Sequence, residues 1–219
     1  MSISPEQTPA REAAKIILDG GAVHVRTGGE PYFFSSGWAS PLFIDLKRLI
    51  SVPKARDRLI DLMLGHIRSI YGDDGFDQIA GCELAGVPFA TIAAHRLGLP
   101  LVIALKQARG FDRLSQCEGT FEPGTRTLLL DDLTTAGKTK ANFKDALERA
   151  QADVVGIFVL FNYGIFPAAP EVGSLTCLTD LIAVAEAEES LGEGALAQIK
   201  AFAGDAAHWS RFHGGIGRT

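Results

Sequence analysis

From residue 76 onward the chain alternates short, almost wholly apolar runs with segments of helical texture, and this rhythm limits the fold more than anything else in it. FDQIAG (76–81), LPLVIAL (99–105), TRTLLLDD (125–132) and DVVGIFVLFNYG (153–164) read as strands. VPFATIAAHRLG (87–98) and KTKANFKDALERA (138–150) read as the helices between them. A strand that faces water on one side alternates apolar and polar residues. These runs do not alternate, so both of their faces are buried. Repeated β-α-β units join parallel strands through crossover helices. The expectation is an α/β fold: a parallel five-stranded sheet with helices on both faces. The tail adds one more strand-like piece, SLTCLTDL (174–181), and an acidic, alanine-rich helix.

The first 75 residues have a different texture. Thr8-Pro9 opens a helix through Leu18, with a capping residue followed by proline at the first helical position, and Gly20-Gly21 ends it. AVHV, PYFF and LFIDL, separated by Gly28-Gly29 and by SSGWASP, predict a small antiparallel hood. Ser51 and Pro53 start a helix with Leu59, Ile60, Met63, Leu64 and Ile67 at helical spacing. The layout expected for 1–219 is one domain: hood elements over 1–50, a core over 51–165, and a tail over 166–219 packing on both. Residues 106–124 form a polar, glycine-containing segment too long for an ordinary connection.

One strand ends in chemistry. LLLDDLTTAGKT (128–139) closes with AGKT, as an ATP phosphate loop does, but GxxxxGK[ST] requires glycine at 132 and Asp132 stands there. The turn before the next helix nonetheless exposes helix-start N–H groups, which favour an anion. Thr134, Thr135 and Thr139 add hydroxyls, Ala136 and Gly137 let a ligand approach the backbone, and the Lys138 backbone lies at the helix start. Asp131 and Asp132 would repel the phosphate itself. Placed at the carboxyl end of a strand, they suit the hydroxyls of a sugar that carries it. The ligand implied is a sugar phosphate; the plain alternative is a pair of strand-end acids capping the next helix, with Lys138 and Lys140 as solvated side chains.

The net charge of −5 gives no bulk pull toward nucleic acid or an anionic membrane, and no apolar run is long enough to cross a bilayer. The N-terminus lacks a signal-peptide pattern, and the three widely spaced cysteines suggest neither a disulfide framework nor a zinc site. Neither nucleic acid nor membrane is an expected partner, and a cytoplasmic setting is.

LLLDDLTTAGKT resembles the 5-phosphoribosyl-1-pyrophosphate (PRPP) motif of the type I phosphoribosyltransferases. FFSSGWASPLFIDLKRLISVPKAR resembles the hood of the orotate phosphoribosyltransferases, and IAGCELAGVPFATIAAHRLGLP resembles the segment after it, with a G-x-x-x-x-G-V-P turn. QCEG (116–119), VVGIFVLFNYG and DAAHWSRFHGG are similar to further family segments, so the resemblance runs through nearly the whole chain in order. It implies transfer of the phosphoribosyl group of PRPP to orotate, giving orotidine 5′-monophosphate and pyrophosphate in pyrimidine biosynthesis. It implies Mg²⁺ held mainly through PRPP with no dedicated metal ligands, and a homodimer whose mobile loop reaches the neighbouring subunit. It puts Asp131, Asp132 and the 134–139 turn on PRPP, Lys106 and Arg109 in catalytic roles, and Phe43, Ile44 and Thr135 beside the base. Packing within the hood is the equal alternative for Phe43 and Ile44. Lys47 or Arg48, after Asp45, is a further candidate to face substrate, surface charge being the alternative.

The loop departs from the family. Its arginine falls on Leu105, its principal lysine on Arg109, its histidine on Phe111 and a neighbouring glycine on Asp112, while Lys106, Arg109 and Arg113 remain positive. Arginine replaces lysine as a cation with a different reach, and phenylalanine in place of histidine removes a donor. Two alternatives therefore stand beside orotate transfer: a transferase for another base, and a non-catalytic PRPP- or nucleotide-binding protein.

Overall fold

The structure, a computed structural model, describes residues 8–108, 116–135, 137–166 and 171–217. Helix α1 (Pro9–Asp19) begins where the Thr8 hydroxyl accepts the Arg11 N–H at 3.3 Å. The hood follows as two antiparallel pairs. Strand β1 (Val23–Val25) pairs with β4 (Leu42–Ile44), and β2 (Tyr32–Phe33) pairs with β3 (Ala39–Ser40). A 3₁₀ turn, Leu46–Ser51, leads into α2 (Pro53–Tyr71).

The sheet is built from β5 (Gln78–Cys82), β6 (Leu101–Ala104), β7 (Cys117–Glu118), β8 (Arg126–Thr134), β9 (Asp153–Asn162) and β10 (Gly173–Cys177). Their order is β10-β9-β8-β5-β6-β7. The five parallel strands expected are there, in the run β10 to β6. The sheet nonetheless has six strands, not five. The sixth, β7, is two residues long and antiparallel to β6, with Ile103 opposite Glu118 and Ala104 opposite Cys117. It lies inside the polar segment 106–124, where a two-residue strand leaves no periodicity to read. The stem is tied further by the Leu105 N–H donating to the Gln116 carbonyl at 2.7 Å.

Helices α3 (Val87–Leu97) and α4 (Lys138–Arg149) are the crossovers. Gly98, at φ +67°, closes α3 in a left-handed conformation that suits glycine. Beyond β10 come three helices, not one: α5 (Leu178–Ala187), α6 (Glu193–Gly204) and α7 (Ala206–Phe212). Gly192 and Asp205 separate them. Side chains alternate between the sheet's two faces along each strand. On β8, Leu128 and Leu130 join the larger core with α1, α2, α3 and the tail helices, while Leu129 joins a smaller core under α4. The hood is fastened to the larger core by the Ile44 N–H donating to the Tyr163 hydroxyl at 3.3 Å, and the Ala39 N–H donates to Ser210 Oγ at 2.9 Å.

Candidate active site

Strand β8 does not stop at Asp132. It continues to Thr134, held in parallel register to β9 with Asp131 opposite Val159 and Thr134 opposite Asn162. Because the acids are consecutive in a strand, they point to opposite faces. Asp131 faces α4, on the side of Leu129. Its Oδ2 accepts a hydrogen bond from Lys140 Nζ, and both side chains are only 7% exposed. Its Oδ1 accepts the Asp132 N–H at 2.9 Å. The Cys82 thiol is a further partner of this carboxylate, and burial, followed by the Asp131 charge, pushes the thiol well above its usual range. Asp132 faces the hood side. Burial pushes it up to about 7, and the Asp131 charge adds to the shift; Lys140, the Leu133 N–H and Lys47 partly offset it. Its Oδ1 accepts the Leu133 N–H at 2.7 Å.

Gly137 caps α4 with φ +73°, a left-handed value that glycine adopts without steric cost. The first helix N–H to find a helical acceptor is that of Lys140, onto the Gly137 carbonyl at 2.9 Å. Among the described residues the N–H groups of Lys138 and Thr139 are therefore the orphan donors of this helix start. On the opposite wall, Gly86 presses against β8: a Cβ there would lie 2.6 Å from the Leu130 carbonyl oxygen and 2.7 Å from Asp131 Oδ1. The second glycine of the G-x-x-x-x-G-V-P turn thus permits close approach to Asp131.

These elements enclose a cleft of about 480 Å³ between hood and sheet. Asp131, Asp132, Thr134, Thr135, Gly137, Thr139, Lys106, Phe43 and Ile44 all line it. Ala136 and Arg109 lie outside the described residues, as does the Lys138 side chain. Thr134 is buried, and among the described residues its hydroxyl has no hydrogen-bond partner. Phe43 lies beside Tyr32 with the rings tilted (centroids 5.8 Å apart), and the Lys47 ammonium is 5.9 Å from its ring centre. Ile44 is fully buried at the cleft floor. The Lys106 N–H donates to a Glu83 carboxylate oxygen at 2.9 Å. Leu105, on which the family's arginine falls, is only 5% exposed and belongs to the core. Phe111, Asp112 and Arg113 lie outside the described residues.

Sequence reasoning missed several lining residues. Phe33 and Phe34 come from PYFF, and Leu84, 73% exposed, comes from the turn after β5. Lys140 is the clear correction, since it is a buried partner of Asp131 and not a solvated side chain. Its signal was available: a lysine in the first turn of a helix opposes the helix dipole, and that misfit calls for an anion nearby.

Residues 47–181 match the phosphoribosyl transferase domain family. A Cereibacter sphaeroides protein named orotate phosphoribosyltransferase is 37% identical over 216 residues, covering 95% of this chain and 93% of the relative. One of the same name from Agrobacterium fabrum is 38% identical over 215 residues, covering 94% and 92%. The chain belongs to the orotate phosphoribosyltransferase family. Solved structures agree in fold. Orotate phosphoribosyltransferase from Aeropyrum pernix superposes with a TM-score of 0.67 at 25% identity, covering 82% of this chain and 99% of its own. UMP synthase of Leishmania donovani gives 0.77 at 25% identity, covering 91% of this chain and 43% of its own.

Proposed function

We propose that this chain transfers the phosphoribosyl group of PRPP to orotate, giving orotidine 5′-monophosphate and pyrophosphate. The observation that carries the proposal is the cleft at the carboxyl end of β8, which joins an acid pair, an orphan helix start and a hood aromatic in one space. The 5′-phosphate sits on the N–H groups that open α4 and the hydroxyls of Thr135 and Thr139. The ribose hydroxyls lie at the acid end of β8. Orotate lies toward Phe43, with its nitrogen facing the anomeric carbon. The new N–C bond forms as the C–O bond to pyrophosphate breaks, and pyrophosphate leaves with the electron pair. Lys106 lines this cleft, where a fixed cation beside the departing charge acts most strongly in the transition state, and the family resemblance gives Arg109 the same role.

Among the described residues no group of three or more His, Cys, Asp or Glu is gathered to hold a metal ion. A Mg²⁺ would enter mainly through the diphosphate of PRPP, with no dedicated protein ligands, as the family resemblance implies. When bound, the ion neutralises charge on the leaving group. The assembly we infer is a two-fold homodimer, supported by the length of the 106–124 segment and by the family's loop reaching a neighbouring subunit. No helix among the described residues is long and apolar enough to cross a membrane. A reducing, cytoplasmic setting is supported by the three free cysteines.

The buried Leu105 favours one second reading, a loop retuned for another base. The test supplies Mg²⁺ and PRPP with orotate, then with other bases in turn. Orotidine 5′-monophosphate and pyrophosphate in equal amounts are expected. Turnover only on another base would support the retuned site, and PRPP binding without turnover on any base would make the chain a binding protein.

A further inference from the structure

A lysine buried to this degree in an α/β core is uncommon, because removing an ammonium from water is costly unless a paired anion compensates. Lys140 has one in Asp131. The pairing changes what each acid offers a ligand. Asp131 has both oxygens engaged within the protein, Oδ2 by Lys140 and Oδ1 by the Asp132 N–H. Asp132 has Oδ1 engaged by the Leu133 N–H, and among the described residues nothing donates to its Oδ2. The acids also face opposite sides of the sheet, so they meet different surroundings. Cys82 on β5 and Lys140 on α4 stand on the Asp131 side. Lys47 on the 3₁₀ turn acts on Asp132, whose charge in turn acts on the Tyr163 hydroxyl after β9, and Glu83 and Lys106 line the same cleft.

We propose that Lys140 is a positioning residue: its ammonium fixes Asp131 against α4 and offsets its charge, leaving Asp132 as the acid whose open oxygen takes the ribose hydroxyls. Two adjacent buried carboxylates without a cation repel each other, and one of them is driven to take up a proton. Lys140 relieves that conflict from outside the strand, so that Asp132 faces a neighbour whose charge is already balanced. The proposal rests on the PRPP reading above but needs no turnover. It predicts a cleft in which the two acids respond differently to mutation, although they are adjacent in sequence.

The experiment is calorimetric titration of the full chain with Mg²⁺-PRPP across pH 6 to about 8.5, a window spanning the range in which a buried carboxylate titrates. Lys140→Met is expected to weaken binding about tenfold or more at neutral pH. It also moves the onset of binding to higher pH, which a merely structural role would not do. Lys140→Arg keeps the charge and recovers part of the affinity. Asp131→Asn with Lys140→Met should bind no more weakly than Asp131→Asn alone, because the lysine acts through that acid. Wild-type affinity and pH profile in Lys140→Met would overturn the proposal. A double variant about tenfold or more weaker than Asp131→Asn would do the same, since it gives Lys140 a role of its own. That second comparison holds even where Lys140→Met alone does not fold. Because PRPP binding is read directly, absence of orotate turnover would count against the proposed function and leave this result standing.

Discussion

The two faces of the sheet are covered very differently. One carries α1, α2, α3, the hood and the tail helices, and its core includes Phe158, Phe161, Tyr163, Phe202 and Trp209. The other carries α4 alone among the described helices, over small residues such as Ala80, Cys82 and Ala104, with Phe143 and Leu147 supplying the bulk. The thick face can lose a side chain and remain held by its neighbours. The thin face depends on a single described helix, and the same helix starts at Gly137, which lines the cleft. Its first turn carries Lys140, and one turn further on Phe143 lines both the small core and the cleft. Stability and ligand binding are therefore separable on one face and joined on the other.

The sharpest way to break this comparison is a matched pair of truncations. Phe143→Ala and Phe202→Ala each remove a fully buried ring, and each should cost about 3–5 kcal/mol of unfolding free energy in urea. Only Phe143→Ala should also weaken PRPP binding, because it loosens α4 behind the cradle. Equal PRPP affinities in the two variants would mean that the thin face does not set the site. A smaller effect is expected from Gly86→Ala, whose new Cβ would meet Asp131 and the Leu130 carbonyl. Overpacking of this kind costs about 1–3 kcal/mol, and here the displaced atoms are the acid pair. PRPP affinity should fall by about tenfold, for which roughly 1.4 kcal/mol suffices. An unaltered titration in Gly86→Ala would show that the acids tolerate displacement.

Much of this was legible in the sequence. The five parallel strands and α3 followed from uninterrupted apolar runs and from glycine punctuation. The cradle followed from two acids at a strand end before a glycine turn. Three things escaped for physical reasons. Strand β7 is too short to carry a period, and it exists because β6 offers it an edge. The reach of β8 to Thr134 is set by pairing with β9, a long-range contact that overrides local texture. The tail's three helices share one alanine-rich composition, and only capping breaks separate them. The difference between Asp131 and Asp132 was half visible: strand alternation already put them on opposite faces, but nothing in sequence spacing tied Lys140 to one of them. The loop residues Arg109 and Phe111 stay where the sequence reading left them, outside the described residues.

A further effect is on stability, and its sign opposes the effect on binding. Asp132 is raised from 3.8 to about 7 in the folded protein, chiefly by burial. Between those values the folded state binds a proton that the unfolded chain does not. The contribution of this group to stability is therefore full at the acid end and is lost as pH rises to about 7. Asp132→Asn should remove that slope from the unfolding free energy. PRPP binding runs the other way, because an ionised carboxylate is the better acceptor for a ribose hydroxyl.

The central claim is that Asp132 supplies the acceptor for the ribose. Its most direct test is PRPP affinity against pH in the wild-type chain and in Asp132→Asn, taken as a ratio so that titration of the ligand's own phosphates cancels. The account predicts that the wild-type advantage grows as pH rises through about 7 and levels off above it. A ratio that is flat across this range, or an Asp132→Asn variant that binds PRPP as tightly as the wild type, would contradict it.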